Sequence, residues 1–220
     1  MGQVRSEAYH VSHLRPFVIK EIGISSLGAQ FPLFPGSMRA ELQHHGIPGY
    51  QQISSSLGYG MRLSENIFAG LGFRFYNTIS LGEWSYLRAL GFSGGMLIKA
   101  GESTWLGAHI INPVTINNYP DYGAIFPSII TLGVRSEIYA ASHVLGEISY
   151  HSRSGLVSKI AAEYHCSELV ILRAGYHSNP TTFSFGTGII SSPLKLNIAF
   201  SYSVRNGVIP ALSITYLSGK

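Results

Sequence analysis

Nine histidines are the first residues in this chain that suggest chemistry. Neutral imidazole is the commonest metal ligand, but two or more rings must converge on one ion. His44 and His45 are neighbours, and His10 and His13 have an odd spacing, so on strands each pair points to opposite faces. Three other histidines fall toward the ends of separate predicted strands: His151, His165 and His177. A ring of these three at one rim is an alternative to simple polar lining; otherwise we expect no metal and no cofactor.

Glu147, Ser149 and His151 carry the residue types of a hydrolase. A serine nucleophile needs a base and an acid within hydrogen-bond reach. The three residues share one face of a predicted strand, where successive same-face positions are about 6.6 to 7 Å apart. That spacing is too long for direct contacts, so we expect no catalytic residues. A membrane-embedded hydrolase remains an alternative.

The charged fraction of the chain narrows the class of protein. Of 220 residues, 45% are hydrophobic and only 12% are charged, whereas a soluble domain carries about 25% charged residues. No apolar run approaches the roughly 18 to 20 residues that a membrane-spanning helix needs. A closed β-barrel is the other structure that satisfies the backbone polar groups in lipid, and its strands give no strong hydropathy peak. The net charge of +4 comes without a run of Lys or Arg, so a nucleic-acid partner is not expected.

Apolar residues recur at every second position along much of the chain. In one segment Leu172 and Tyr176 share a face, while Arg173 and Gly175 share the other. This period is that of β-strands with one apolar and one polar face. The side chains that we expect to face lipid on the last strands are Leu172, Tyr176, Phe200 and Tyr202.

Turn residues separate these segments at intervals of about 10 to 15 residues. The predicted strands are 3–13, 17–33, 37–46, 50–62, 65–78, 85–100, 103–112, 128–138, 142–152, 156–166, 168–178, 181–191, 193–204 and 208–218. Fourteen is an even number, as a single-chain bacterial barrel requires. We therefore predict an all-β fold, with residues 1–220 forming a single antiparallel outer-membrane β-barrel. A soluble β-sandwich is the structural alternative.

Charged residues occur on the polar faces of the predicted strands, at positions that alternate with the apolar residues. The ones that we expect to line the lumen are Arg62, Arg74, Glu147, Lys159, Glu163 and Arg173, with Arg39 and Glu41 beside them. Their mixed signs favour mutual pairing across a narrow lumen. The alternative is that the cations among them set the selectivity of a pore or hold an acidic headgroup.

One connection differs from the tight turns elsewhere. Between Pro113 and Pro127 the chain is rich in strand breakers and contains Tyr119 and Tyr122. We expect an ordered surface loop. The alternative is a loop that folds into the mouth of the barrel, or meets a partner, through these two tyrosines.

Several short motifs occur in a characteristic order between about residues 15 and 216. They are Phe17-Val18-Ile19-Lys20-Glu21, Leu57-Gly58-Tyr59-Gly60 with Leu63-Ser64-Glu65-Asn66, Gly107-Ala108-His109-Ile110-Ile111-Asn112-Pro113, and Leu172-Arg173-Ala174-Gly175-Tyr176 with Ser178-Asn179-Pro180 and Phe183-Ser184-Phe185-Gly186. In this order the chain resembles a family of Bacteroidetes outer-membrane barrels related to FadL and to the PorV and PorQ barrels of type IX secretion. The resemblance implies fourteen strands and a location in the bacterial outer membrane.

The resemblance also implies an N-terminal signal and a plug segment, which we expect to be absent from this chain, since Met1 to Arg5 begin no apolar segment. We therefore expect a non-enzymatic barrel, either for passage of small or hydrophobic compounds or as an accessory subunit of a secretion or uptake assembly. Its expected partners are outer-membrane lipid and other outer-membrane proteins of such a complex.

Overall fold

The computed structural model describes residues 7–15, 23–47, 49–81, 86–118, 126–205 and 207–218. Within them the chain forms fourteen β-strands, which confirms the predicted number. The strands are β1 (Glu7–Leu14), β2 (Gly23–Leu33), β3 (Gly36–Ile47), β4 (Tyr50–Arg62), β5 (Ile67–Ser80), β6 (Tyr86–Lys99), β7 (Thr104–Asn117), β8 (Ile129–Tyr139), β9 (Ser142–His151), β10 (Gly155–His165), β11 (Val170–Ser178), β12 (Thr181–Ser191), β13 (Leu194–Ser203) and β14 (Gly207–Ser218). Among the same residues, no helix is long and apolar enough to cross a membrane.

The strands form one closed sheet. Each strand pairs antiparallel with its neighbours in the sequence, and β1 pairs with β14 to close the barrel. Closure leaves no free edge, so the backbone polar groups of every strand find partners inside the sheet. The soluble β-sandwich considered from the sequence is wrong, because the described strands include no second sheet that would cover an apolar face.

The seventh strand is longer than predicted. The breakers Asn112 and Pro113 suggested that it ends at residue 112, but β7 continues to Asn117. Asn112 adopts a φ of 50°, and the register between β6 and β7 shifts between Gly91 and Ser93. The irregularity places two extra residues on β7 and accommodates a proline that a regular central strand would exclude. Asparagine suits the position because it enters the left-handed region more readily than most residues.

Large apolar side chains cover the outside of the barrel. Leu71 and Leu132 are 77% and 61% exposed, whereas their neighbours Gly72 and Gly133 lie on the inner face. The outward side chains that the alternation predicted are exposed as well: Leu172, Tyr176, Phe200 and Tyr202. This distribution is the reverse of that in a soluble protein and suits a lipid surround.

Charged side chains follow the opposite rule. Within the described strands, only Glu7 and Arg88 have the outward parity, and both lie near a strand end. The charged residues of inward parity are Arg39, Glu41, Arg62, Arg74, Lys99, Arg135, Glu137, Glu147, Lys159, Glu163, Arg173 and Lys195. A charge at the bilayer midplane is costly, so this separation identifies the outer face as the lipid-facing one.

The two ends of the barrel differ in the length of their connections. At the near end, where β1 begins and β14 ends, six connections join the strands with two to four residues each. At the far end lie the longest connections, residues 15–22 and 118–128. The long β7–β8 connection therefore joins its two strands at the far end.

Candidate functional site

The inner wall from β4 to β8 is rich in glycine. Cross-strand glycine pairs there are Gly58 with Gly72, Gly60 with Gly70, Gly70 with Gly95, and Gly107 with Gly133. A cavity of about 560 Å³ lies against this wall. The polar side chains that line it include Arg39, Glu41, Arg74, His109 and Glu147. The volume falls in the range of pockets that hold small molecules.

Three of these glycines leave room for a side chain. A Cβ built at Gly58, Gly107 or Gly133 would meet its nearest heavy atom at 3.6, 3.7 and 3.6 Å, which is ordinary van der Waals contact. None of the three has a φ in the left-handed region. The backbone would accept larger residues here, whose side chains would then occupy the cavity. Glycine at these positions keeps space open inside the barrel.

All six charged residues proposed for the lumen have the inward parity: Arg62, Arg74, Glu147, Lys159, Glu163 and Arg173. Arg74 and Glu147 line the cavity. Arg62 lies at the near end, where its Nε donates to the carbonyl of Ser64 at 2.9 Å and its Nη2 to the carbonyl of Glu65 at 2.9 Å. Arg62 thus fastens the β4–β5 turn.

The described ion pairs run along the wall. Lys159 Nζ lies 2.7 Å from Glu147 Oε1 on the adjacent β9, and Arg173 Nε lies 2.7 Å from Glu163 Oε2 on the adjacent β10. The expectation that these charges pair across the lumen is therefore wrong. Facing residues on adjacent strands are about 5 Å apart, much closer than opposite walls of a barrel this large. Among the residues that the structure describes, these two pairs therefore join neighbouring strands and do not span the lumen.

Cations outnumber anions on the inner face. The described strands carry eight Arg and Lys side chains inward against four Glu. Arg74, Lys99 and Lys195 form no ion pair with any residue that the structure describes. A lining of one predominant sign raises the local concentration of ions of the opposite sign. Within the described strands, the inner face therefore carries an excess of positive charge.

An aromatic stack lies toward the far end of the barrel. The ring of Phe126, at the returning end of the β7–β8 connection, lies 3.9 Å from the ring of Tyr76 at 13° between planes. Asn112 donates through Nδ2 to the Tyr76 hydroxyl at 3.2 Å and to the carbonyl of Pro127 at 3.4 Å. A Cβ at Gly91 would collide with the Asn112 side chain. These contacts bring the end of the loop against the inner wall.

The loop's two tyrosines, Tyr119 and Tyr122, lie outside the described residues, so their proposed role at the mouth or toward a partner stays a prediction. The sequence analysis did not identify Phe126 and Tyr76 as residues of the site. Tyr76 follows Arg74 at the same parity, so an aromatic residue on the polar face was the available signal.

Histidines meet at the near end in a combination that was not predicted. The rings of His143 and His165 are 5.5 Å apart at 82°, and His165 Nε2 lies 3.2 Å from Glu163 Oε1. The alternative prediction that His151, His165 and His177 cluster at one rim of the barrel is wrong. Because adjacent strands run antiparallel, His165 ends β10 at the near end, while the other two lie at the far end.

Ser149 contacts Glu147 directly, contrary to expectation. Its Oγ donates to Glu147 Oε1 at 2.9 Å and lies 3.1 Å from the Thr131 hydroxyl. Backbone spacing alone predicted no direct contact, but the long side chain of Glu147 spans the distance between the two positions. Ser149 is 1% exposed, and its described hydrogen bonds lead to Glu147 and Thr131 rather than to His151. This geometry lacks the serine–base contact of a hydrolase.

Comparisons with known proteins give the same architecture. No protein-family model matches the chain, and no curated protein matches it. Among solved structures, the chain is similar to the toluene transporter TbuX of Ralstonia pickettii, with a TM-score of 0.67, 10% identity, and coverage of 100% of this chain and 90% of that one. It is similar to the toluene transporter TodX of Pseudomonas putida, with a TM-score of 0.64, 11% identity, and coverage of 97% and 89%.

A third similar structure is the KdgM porin in complex with disordered oligogalacturonate, with a TM-score of 0.56, 8% identity, and coverage of 95% and 98%. At these identities the likeness concerns the fold. An even-stranded closed antiparallel barrel with an apolar outer surface is the architecture of bacterial outer-membrane proteins. The chain is an outer-membrane β-barrel, as predicted.

Proposed function

We propose that this barrel lets small water-soluble compounds cross the bacterial outer membrane through its lumen, with a preference for anionic solutes. The observation that carries the proposal is the 560 Å³ cavity against a glycine wall, within a barrel whose described ion pairs lie along the wall. A water-filled passage needs polar lining and unfilled space at the same height. The wall from β4 to β8 supplies both.

The charges of the lining support an acidic solute over a hydrocarbon. Arg39 and Arg74 face the same cavity, and the inner face has an excess of cations. A hydrocarbon would gain nothing from displacing water at these groups, since their desolvation is costly. TbuX and TodX are toluene transporters, whereas the KdgM structure holds oligogalacturonate, a chain of acidic sugars. The polar lining favours the second kind of solute for this chain.

The lengths of the connections support an orientation in the membrane. Barrels of this class have short periplasmic turns and longer extracellular loops. The near end, with connections of two to four residues, is therefore proposed to face the periplasm. A solute would enter past the Tyr76–Phe126 stack and leave past the near-end histidines.

The resemblance to Bacteroidetes barrels related to FadL, PorV and PorQ supports a second role. The motif from Leu172 to Tyr176, together with the other motifs of that resemblance, suggests a barrel that acts as an accessory subunit of a secretion or uptake complex. Such a subunit would not need to conduct. Conductance therefore separates the two roles.

Purified, folded barrel in planar bilayers under a potassium chloride gradient tests the proposal. We expect stable unitary conductance. The reversal potential should be shifted toward the equilibrium potential of chloride. Arg74→Gln should lower the preference for chloride, because it removes a cavity cation that has no ion-pair partner among the described residues. The matched control is Arg88→Gln, which removes a cation of outward parity and should leave selectivity unchanged.

Two results would count against the proposal. Absence of conductance from correctly folded barrel would favour the accessory role. If the barrel conducts but Arg74→Gln and Arg88→Gln change the preference for chloride equally, the ions do not pass through the cavity.

A further inference from the structure

Three side chains with metal-binding atoms converge at the near end of the lumen. His143 lies at the start of β9, and Glu163 faces it across the β9–β10 pair. His165 lies two residues beyond Glu163 on the same inward face. One ligand atom from each of the three lies within 4.8 Å of the other two. All three residues are half-buried, so the cluster is accessible from the lumen.

We propose that His143, Glu163 and His165 form a binding site for one divalent transition-metal ion of the zinc type. Two imidazoles and a carboxylate are a common ligand set for such ions, which leaves a fourth position for water. In a tetrahedral site with bonds of about 2.0 to 2.2 Å, ligand atoms are about 3.3 Å apart. His165 Nε2 and Glu163 Oε1 already have this separation, at 3.2 Å.

The carboxylate is held in position by a second set of contacts. Arg173 Nε binds Glu163 Oε2 at 2.7 Å, and Arg173 Nη1 donates to Asn197 Oδ1 at 3.2 Å. Gly188 makes room for this arginine, since a Cβ there would lie 2.9 Å from Arg173 Nη1. One carboxylate oxygen is thereby fixed, and the other is directed toward His165. Such outer contacts orient metal ligands in known sites.

The nearby Arg135 is expected to weaken metal binding at this site. Arg135 Nη2 lies 3.5 Å from Glu163 Oε1, the oxygen that the metal would take. Its side chain is 49% exposed, so it can leave the carboxylate when a metal ion arrives. Repulsion between the two cations weakens binding. Removal of Arg135 should therefore strengthen it.

The site is independent of the proposed passage, because binding requires no conduction. Folded barrel in detergent, purified without a histidine tag, is titrated with Zn²⁺ by calorimetry and with Co²⁺ by visible absorption. We expect one Zn²⁺ per chain, a tetrahedral Co²⁺ spectrum, and no comparable binding of Mg²⁺, which prefers oxygen ligands. His143→Asn and His165→Asn should each weaken Zn²⁺ binding at least about tenfold.

His177→Asn is the matched control. It removes an inward histidine of the adjacent β11 that lies at the far end, where Nδ1 contacts the Pro180 carbonyl at 3.0 Å, and it should leave binding unchanged. Arg135→Gln should tighten Zn²⁺ binding by about fivefold, the effect of roughly 1 kcal/mol of repulsion in water between a doubly charged ion and a guanidinium about 8 Å away. Heat-modifiable migration on gels checks that each variant is folded. Absence of one-to-one Zn²⁺ binding by the folded wild type would overturn the proposal, as would unchanged binding in both near-end histidine variants.

Discussion

The cost of a charge on the outer wall should depend on its depth in the membrane. Ile160 lies at the centre of the eleven-residue strand β10, has the outward parity and is 56% exposed. At about 3.3 Å per residue and a tilt of roughly 40°, the strand spans about 25 Å of membrane thickness, which matches the apolar band of such barrels. Ile160 is therefore near the midplane. Leu156, four residues earlier on the same face and 66% exposed, lies about 10 Å away along the membrane normal.

Ile160→Arg should destabilise the barrel by about 2 to 4 kcal/mol, and Leu156→Arg by about 0 to 1 kcal/mol. Both substitutions replace an aliphatic residue by the same cation on the same strand, so their difference isolates depth. Reversible urea unfolding from phospholipid bilayers, followed by tryptophan fluorescence, gives both values. Equal costs at the two positions, or a neutral Ile160→Arg, would refute the assignment of this face to lipid.

Three further predictions concern the lumen. Gly107→Leu with Gly133→Leu should lower unitary conductance by filling the cavity, whereas Ala162→Leu with Ala174→Leu, of outward parity, should not. Glu163→Gln should destabilise the barrel by about 1 to 3 kcal/mol by leaving Arg173 unpaired. Adding Arg173→Met should recover part of that loss, so additive losses in urea unfolding would contradict the pairing. Phe126→Ala should raise conductance by releasing the far-mouth stack, while Tyr76→Phe keeps the stack and should change conductance little; equal effects would contradict the role of the stack.

The alternation of apolar and polar residues was sufficient to predict the barrel. Parity alone assigned Leu172 to the outer face and Arg173 to the inner one, because a strand's side chains alternate strictly. Turn residues predicted most strand bounds within the described residues, while the predicted starts of the first two strands lie outside them. The prediction failed at β7, where Asn112 and Pro113 are strand breakers in general but occupy a bulge here.

The site was harder to predict because it depends on which strand ends meet. His165 was grouped with two histidines of the far end, since its position near the end of a strand does not by itself state which end of the barrel that is. Combining strand direction with parity would have paired it with His143. The contact between Ser149 and Glu147 was missed for another reason: backbone spacing ignores the reach of a long side chain. The Phe126–Tyr76 stack joins a loop to a distant strand, and no local pattern encodes that contact.

Chemical modification inside the lumen tests the central claim most directly. Thr131 lines the cavity, and the next residue, Leu132, faces outward. In a Cys166→Ser background, which removes the single cysteine, Thr131→Cys and Leu132→Cys are compared in planar bilayers during addition of a charged methanethiosulfonate reagent. The account predicts that conductance falls in Thr131→Cys and stays constant in Leu132→Cys. Unchanged conductance in Thr131→Cys, with its modification verified by mass spectrometry, would contradict passage through the lumen.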